Sequence, residues 1–120
     1  MIIKSLELSD FRNYAFLDMA FDEGTNILYG DNAQGKTNIL EAIFVSATTK
    51  SHKGSKDKDM IRFGNEEAHI RTYLDKDNLE NRVDMHLRSA RSKGIAINGK
   101  KIKKAAQLLG LLNVVFFSPE

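Results

Sequence analysis

The chain contains no cysteine, no tryptophan and a single proline. Without thiols it can build neither a disulfide framework nor a thiolate metal site, a composition that suits the cytoplasm. No apolar run approaches the roughly 20 residues that a membrane helix requires. The opening MIIKSLELSD places charges where a signal peptide would continue its apolar core. Low-complexity tracts and internal repeats are also missing. What remains is a 120-residue chain, 42% hydrophobic and 28% charged, which is enough apolar material for one packed domain and too little length for two. A soluble, unprocessed, cytoplasmic single domain over residues 1–120 is expected.

Acid is missing from one long stretch. Between Met85 and Pro119 there is no Asp or Glu, while Arg88, Arg91, Lys93, Lys100, Lys101, Lys103 and Lys104 are present. The formal charge of +2 therefore hides an asymmetry: residues 1–49 carry three basic and seven acidic side chains, and residues 50–120 carry fifteen and nine. The second half is the candidate for an anionic partner, against the plainer reading of a solvated face.

Hydrophobic periodicity places the elements. Leu6 and Leu8 alternate in one strand and Leu17, Met19 and Phe21 in the next, with the polar Arg-Asn-Tyr turn between, which predicts an antiparallel pair. Asn26-Ile-Leu-Tyr29 is a short run expected of a buried strand. From Lys36 the period changes: Leu40, Ile43, Phe44 and Ala47 fall on one helical stripe that ends near Thr48 and Thr49. A basic loop, KSHKGSKDK at 50–58, precedes a short helical turn around DKDMIRF. Ala68, Ile70, Thr72 and Leu74 alternate in one further strand and Val83, Met85 and Leu87 in another, joined through DKDNLEN as a hairpin. Ile95 and Ile97 lead into Asn98-Gly99, a dipeptide suited to the positive φ angles of a tight turn. KKAAQLLGLL is expected to form an amphipathic helix and NVVFF a last buried strand.

The strand at 26–29 and the helix from Lys36 flank the chain's most informative segment. Gly30-Asp31-Asn32-Ala33-Gln34-Gly35-Lys36-Thr37 satisfies G-x-x-x-x-G-K-[ST] at every fixed position. Gly30 permits a tight exit from the strand, and Gly35 lets backbone amides approach phosphate oxygens with no side chain between. The helix N-terminus adds unpaired N–H groups and a positive dipole end. Lys36 is expected to reach the β and γ phosphates and the Thr37 hydroxyl to ligate Mg²⁺. Such a match arises by chance in roughly one chain of this length in a few hundred, and its strand-to-helix setting lowers that further. ATP with Mg²⁺ is the expected ligand, since no Asn-Lys-x-Asp guanine signature is present.

Phosphoryl transfer needs more: a carboxylate at the end of another strand and a group that orients the attacking water. No apolar run here ends in Asp or Glu in that manner, so ATP binding is expected, with poor hydrolysis or none by this chain alone. No catalytic residue is assigned. A complete small P-loop kinase and a non-catalytic nucleotide-binding piece stand as alternative readings. The first would need an acceptor site and a second carboxylate that the sequence does not show.

LELSDFRNY at 6–14, NILYGDNAQGKTNILEAIF at 26–44, KSHKGSKDKDMIRFG at 50–64 and VVFFSPE at 114–120 together resemble the RecF family of bacterial DNA replication and repair ATPases. The resemblance implies an α/β P-loop fold, the N-terminal lobe of an ABC-type ATPase head akin to SMC proteins, with a mixed or antiparallel sheet and a P-loop helix. It implies a longer parent, because the family's helical arm, Ser-Gln-Gly signature, Walker B pair and D-loop have no counterpart before Glu120. An N-terminal fragment is expected. By the same resemblance Arg12 and Asn13 lie where related heads contact the sugar or base side of the nucleotide, although Arg12 also reads as a plain hairpin-tip charge. Glu120 stands near a Q-loop position at which this sequence supplies no glutamine. The implied partners are gapped DNA at single-strand to double-strand junctions, a RecR-type recombination mediator, and a second copy of the full-length head in an ATP-dependent dimer. Lys50, Lys53, Lys56, Arg88, Arg91, Lys100, Lys101, Lys103 and Lys104 are the DNA candidates, with His52 and Lys58 beside them. Their clusters interleave no aromatics, which favours backbone contacts over base stacking. His52, His69 and His86 read as solvated histidines, the last two isolated on strands.

Overall fold

The computed structural model describes residues 2–21, 33–76 and 78–103. Strands β1 (Ile2–Phe11) and β2 (Tyr14–Ala20) pair antiparallel across a turn of Arg12 and Asn13. Helix α1 (Ala33–Thr48) and the short α2 (Asp57–Met60) follow. The chain then forms β3 (Glu67–Lys76), β4 (Leu79–Arg88), β5 (Gly94–Ile97) and β6 (Lys100–Lys101). Among the described residues the six strands make one sheet in the order β2-β1-β3-β4-β5-β6, every neighbour antiparallel.

Period-two alternation fixes the register. Leu17, Leu8, Ile70, Met85 and Ile95 lie in one row across five strands, and Met19, Leu6, Thr72, Val83 and Ile97 in the next. A slip of one residue anywhere would turn a whole strand's apolar set to solvent. Leu6, Leu8, Ile70, Leu74, Val83, Met85 and Leu87 are essentially inaccessible, and each contributes about 2 kcal/mol by leaving water. Helix α1 covers this face with Ile39, Ala42, Ile43, Val45 and Ala47. One polar contact lies inside that interface: the Ser46 and Thr72 hydroxyls meet at 2.9 Å, and Ser46 also donates to the Ala42 carbonyl at 3.1 Å, so both are satisfied.

Several expectations are corrected. Helix α1 begins at Ala33 rather than Lys36, so the last part of the glycine-rich segment already winds into its first turn. Its buried side is not the single stripe Leu40, Ile43, Phe44, Ala47: Leu40 is 40% exposed, while Asn38, Ile39 and Glu41 are buried. The sheet covers one flank of the helix, and the 51–61 segment with the β1–β2 turn covers another, so polar positions are enclosed as well. The β3–β4 connection is far tighter than DKDNLEN. Lys76 pairs with Leu79, which Asn78 permits by adopting φ 64°. The expected strand at 26–29, the helix KKAAQLLGLL beyond its first residue Lys103, and the NVVFF strand lie outside the described residues.

The segment after α1 is tied to the sheet's end. Phe11 bridges Ile61, the Arg12 amide donates to the Met60 carbonyl at 2.7 Å, and the Arg62 amide donates to the Asp10 carbonyl at 2.8 Å. Asp10 and Arg12 both take positive φ to make these bonds, at 51° and 53°. The β1–β2 turn, the basic loop and the start of α1 thereby meet at one end of the molecule.

Candidate functional site

That meeting point is organised by a carboxylate. Glu41, two turns into α1 and 0% exposed, receives the Arg12 guanidinium in a two-pronged contact, Nε to Oε1 at 2.8 Å and Nη2 to Oε2 at 2.9 Å. The Ser51 hydroxyl donates to Oε2 at 2.5 Å, and the Lys53 ammonium stands 3.9 Å from Oε1. Burial pushes the Glu41 carboxyl up, but the hydrogen bonds from Arg12 and Ser51 and the charges of Arg12 and Lys53 outweigh it and hold the group below the ordinary glutamate range. The hydrogen bond to Glu41 likewise holds Arg12 above its ordinary value, against a smaller opposing effect of burial.

Arg12 is thus more than a hairpin-tip charge. Four of its five N–H groups are committed within the protein, the remaining two bonds running from Nη1 to the Asp59 carbonyl at 3.0 Å and from Nη2 to the Ser55 hydroxyl at 3.0 Å. Asn13 accepts from the Asn38 amide at 3.2 Å, and Lys53 donates to Asn38 Oδ1 at 3.3 Å. Arg12, Asn13 and Asn38, with Lys58, Asp59, Arg62, Phe63 and Asn65, line an open groove of about 910 Å³. Phe63 is 100% exposed at its rim. The groove adjoins the N-terminal part of α1, because Asn38 directly follows Thr37.

Of the glycine-rich segment, Ala33, Gln34, Gly35 and Lys36 form the first turn of α1, which has no acidic residue, and Thr37 is half-buried in the turn after it. Gly30, Asp31 and Asn32 lie outside the described residues, as do Lys104 and Glu120. The donor chemistry at this end suits a polyanion with its counter-cation: helix amides with no competing carboxylate in the first turn, and the threonine hydroxyl of the motif.

The basic candidates divide. Lys50, Lys56, Arg91, Lys100, Lys101 and Lys103 are exposed. Lys53 is exposed as well, but its ammonium turns to Asn38 and Glu41. Arg88 donates from Nη2 to His86 Nδ1 at 3.3 Å and from Nη1 to the Ser92 carbonyl at 3.5 Å. Lys93 donates to the Thr49 carbonyl and pairs with Asp57 at 2.9 Å, which packs the β4–β5 connection against the basic loop. The histidines are not solvated singles. His52 meets the Phe44 ring edge-on at 5.6 Å. His69 and His86, neighbours in the β3–β4 register, stack at 4.2 Å, and His86 Nε2 lies 2.6 Å from Glu67. This histidine pair lines a second groove, of about 540 Å³, on the sheet face opposite α1.

Sequence reasoning missed Glu41, Asn38, Ser51 and Ser55. The available signal was a carboxylate set among apolar residues, Ile39-Leu40-Glu41-Ala42-Ile43, one helical turn beyond Thr37. The partners of that carboxylate come from segments distant in sequence, and no local pattern marks them.

Comparison with known proteins agrees with this fold. Residues 5–113 match the family described as an AAA domain. The chain is 68% identical over all its 120 residues to a DNA replication and repair protein RecF of Agathobacter rectalis, and spans 33% of that protein's length. Structures of the recombination mediator protein RecF with ATPrS and with ATP superpose with TM-scores of 0.91 and 0.89 at 35% identity, over 98% of this chain and 32% of theirs. An SMC head domain from Thermotoga maritima shares the fold alone, with a TM-score of 0.71 at 19% identity over 94% of this chain and 43% of its own. The architecture is therefore that of the first lobe of an ABC-type P-loop NTPase head. Along its whole length the chain is similar to RecF proteins, and it belongs to the AAA-domain family.

Proposed function

We propose that the chain is the ATP-binding lobe of a RecF-type DNA replication and repair protein. The observation that carries this reading is the G-x-x-x-x-G-K-T segment running into the first turn of α1, a turn without acid. RecF relatives, of which the chain spans about a third (33%), are named for replication and repair, and one has been solved with ATP. Bound ATP would supply the triphosphate and, through Mg²⁺, a hard cation at its oxygens. The amides of residues 30–37 would cradle the phosphates, Lys36 would neutralise the β and γ groups, and Thr37 would ligate the metal. Asn13 and Arg12 border the groove on the sugar and base side. Arg12 acts there chiefly by fixing the turn, since most of its donors are engaged with Glu41, Asp59 and Ser55.

Exposed Lys50, Lys56, Arg91, Lys100, Lys101 and Lys103, together with Lys104, form the surface for duplex phosphates near single-strand to double-strand junctions. In the whole protein, ATP-dependent head pairing and a RecR-type mediator complete the assembly. Equilibrium dialysis tests the nucleotide assignment: Lys36→Ala is expected to weaken ATP binding at least tenfold, and an unchanged affinity overturns it. Reversing Lys100, Lys101, Lys103 and Lys104 to Glu is expected to abolish salt-sensitive duplex binding, and retention of that binding removes this cluster from the surface.

A further inference from the structure

We infer that Glu41 is a positioning residue that couples the helix carrying the phosphate loop to the basic loop at 50–58. The inference rests on the nucleotide reading above and adds a connection between its two ligand surfaces. One carboxylate collects donors from two separate segments and joins them to a third. Arg12 comes from the β1–β2 turn, Ser51 and Lys53 come from the basic loop, and Glu41 itself sits one turn beyond Thr37 on α1. Because Glu41 is 0% exposed, solvent cannot replace a donor that leaves. A second strap runs parallel to the first. Lys53 holds Asn38 at 3.3 Å while Asn38 holds Asn13 at 3.2 Å, so the residue after Thr37 is tied to the same loop and the same turn. Arg12 extends the grip to Ser55 and to the Asp59 carbonyl.

Any displacement of α1 that accompanies phosphate binding moves this carboxylate with it, and the loop follows through Ser51 and through Lys53, which α1 holds by both Glu41 and Asn38. Coupling of this kind is reciprocal: whatever ATP does to DNA affinity, DNA does to ATP affinity by the same factor. A purely structural role for Glu41 would alter stability and leave that factor untouched.

Two variants of the chain test it. Ser51→Ala removes the loop's hydroxyl bond to Glu41, the shortest of its ties to α1, and leaves the Arg12 and Lys53 contacts in place, and Glu41→Gln removes the charge at constant volume. Amide hydrogen exchange without nucleotide reports anchoring; the ratio of duplex-DNA Kd values without and with ATP reports coupling. Both variants are expected to speed exchange of the amides of residues 50–55 at least fivefold, with β3 and β4 unchanged in Ser51→Ala. The Kd ratio, which differs from one by about tenfold in the parent chain for a coupling of typical size, is expected to fall within about twofold of one. Lys36→Ala is expected to lose ATP binding while its loop exchange stays at the parent level. An unchanged Kd ratio in Ser51→Ala, in a parent chain that binds both ligands, overturns the inference alone. A parent chain that binds no ATP overturns the nucleotide reading, and the coupling with it.

Discussion

Replacing Arg12 by alanine separates a buried ion pair from a surface one. Exposed pairs contribute about 0–1 kcal/mol. Removing one partner of an enclosed pair costs about 3–5 kcal/mol, because a charge is left without its counter-ion. Here the Glu41 side chain is 0% exposed and the Arg12 side chain 22%, so the pair lies nearer the enclosed limit. Arg12→Ala deletes two charge-assisted bonds to Glu41 along with those to Ser55 and the Asp59 carbonyl, and leaves the carboxylate with Ser51 and with Lys53 at 3.9 Å. The Lys53 ammonium can close that gap and recover part of the loss. An expected destabilisation of about 3 kcal/mol results, the low end of the enclosed range. In urea unfolding followed by circular dichroism, with a slope of about 1.5–2 kcal/mol per molar, the midpoint falls by about 1.5–2 M. The double variant Arg12→Leu with Glu41→Met should regain much of this, since paired apolar replacement removes the unpaired charge. A loss below about 1 kcal/mol for Arg12→Ala, or no recovery in the double variant, would refute the claim that burial governs this pair.

Acid should expose the same group. Since the folded-state pKa of Glu41 is lowered, its contribution is complete above the ordinary glutamate value of about 4.3 and is lost as pH falls through the lowered one. The Tm difference between the parent chain and Glu41→Gln should therefore narrow as pH drops below that value. His69 gives a second limb. Burial, then the neighbouring His86 ring and Arg71, lower its pKa against the pull of Glu67 and Asp10, so stability is full above the ordinary histidine value of about 6.5 and declines as pH falls through the folded value. A His69→Gln chain whose stability profile between pH 7 and 5 matches the parent would contradict this. At the β5–β6 turn Asn98 and Gly99 sit at φ 53° and 82°, and a Cβ on Gly99 would meet Arg82 only at an ordinary 3.5 Å. Gly99→Val should thus cost about 1–2 kcal/mol of Tm-measurable stability through backbone strain rather than collision.

The strands were legible because a half-buried sheet imposes period two. Ala68, Ile70, Thr72 and Leu74 in β3 and Val83, Met85 and Leu87 in β4 all lie on the core face as their alternation requires. The Asn98-Gly99 turn was legible for a local reason as well, since few residue pairs accept two positive φ angles. Helix α1 was readable in existence and end but not in its buried face, because a periodicity argument assumes one covering surface and this helix has more. The site followed the same division. The phosphate motif declares itself within eight consecutive residues. The inward commitment of Lys53 and Arg88, by contrast, depends on what stands opposite them.

The sequence alone determined which chemistry this chain offers: a glycine-bounded anion cradle ahead of a helix, strands with one oily face, and a basic second half. These are properties of neighbouring residues, set by backbone sterics and side-chain period. Only the tertiary structure decided that a glutamate in α1 would be enclosed by an arginine, a serine and a lysine from two other segments. Long-range charge pairing leaves no local imprint, because its strength comes from the exclusion of water, which exists only once the segments have packed.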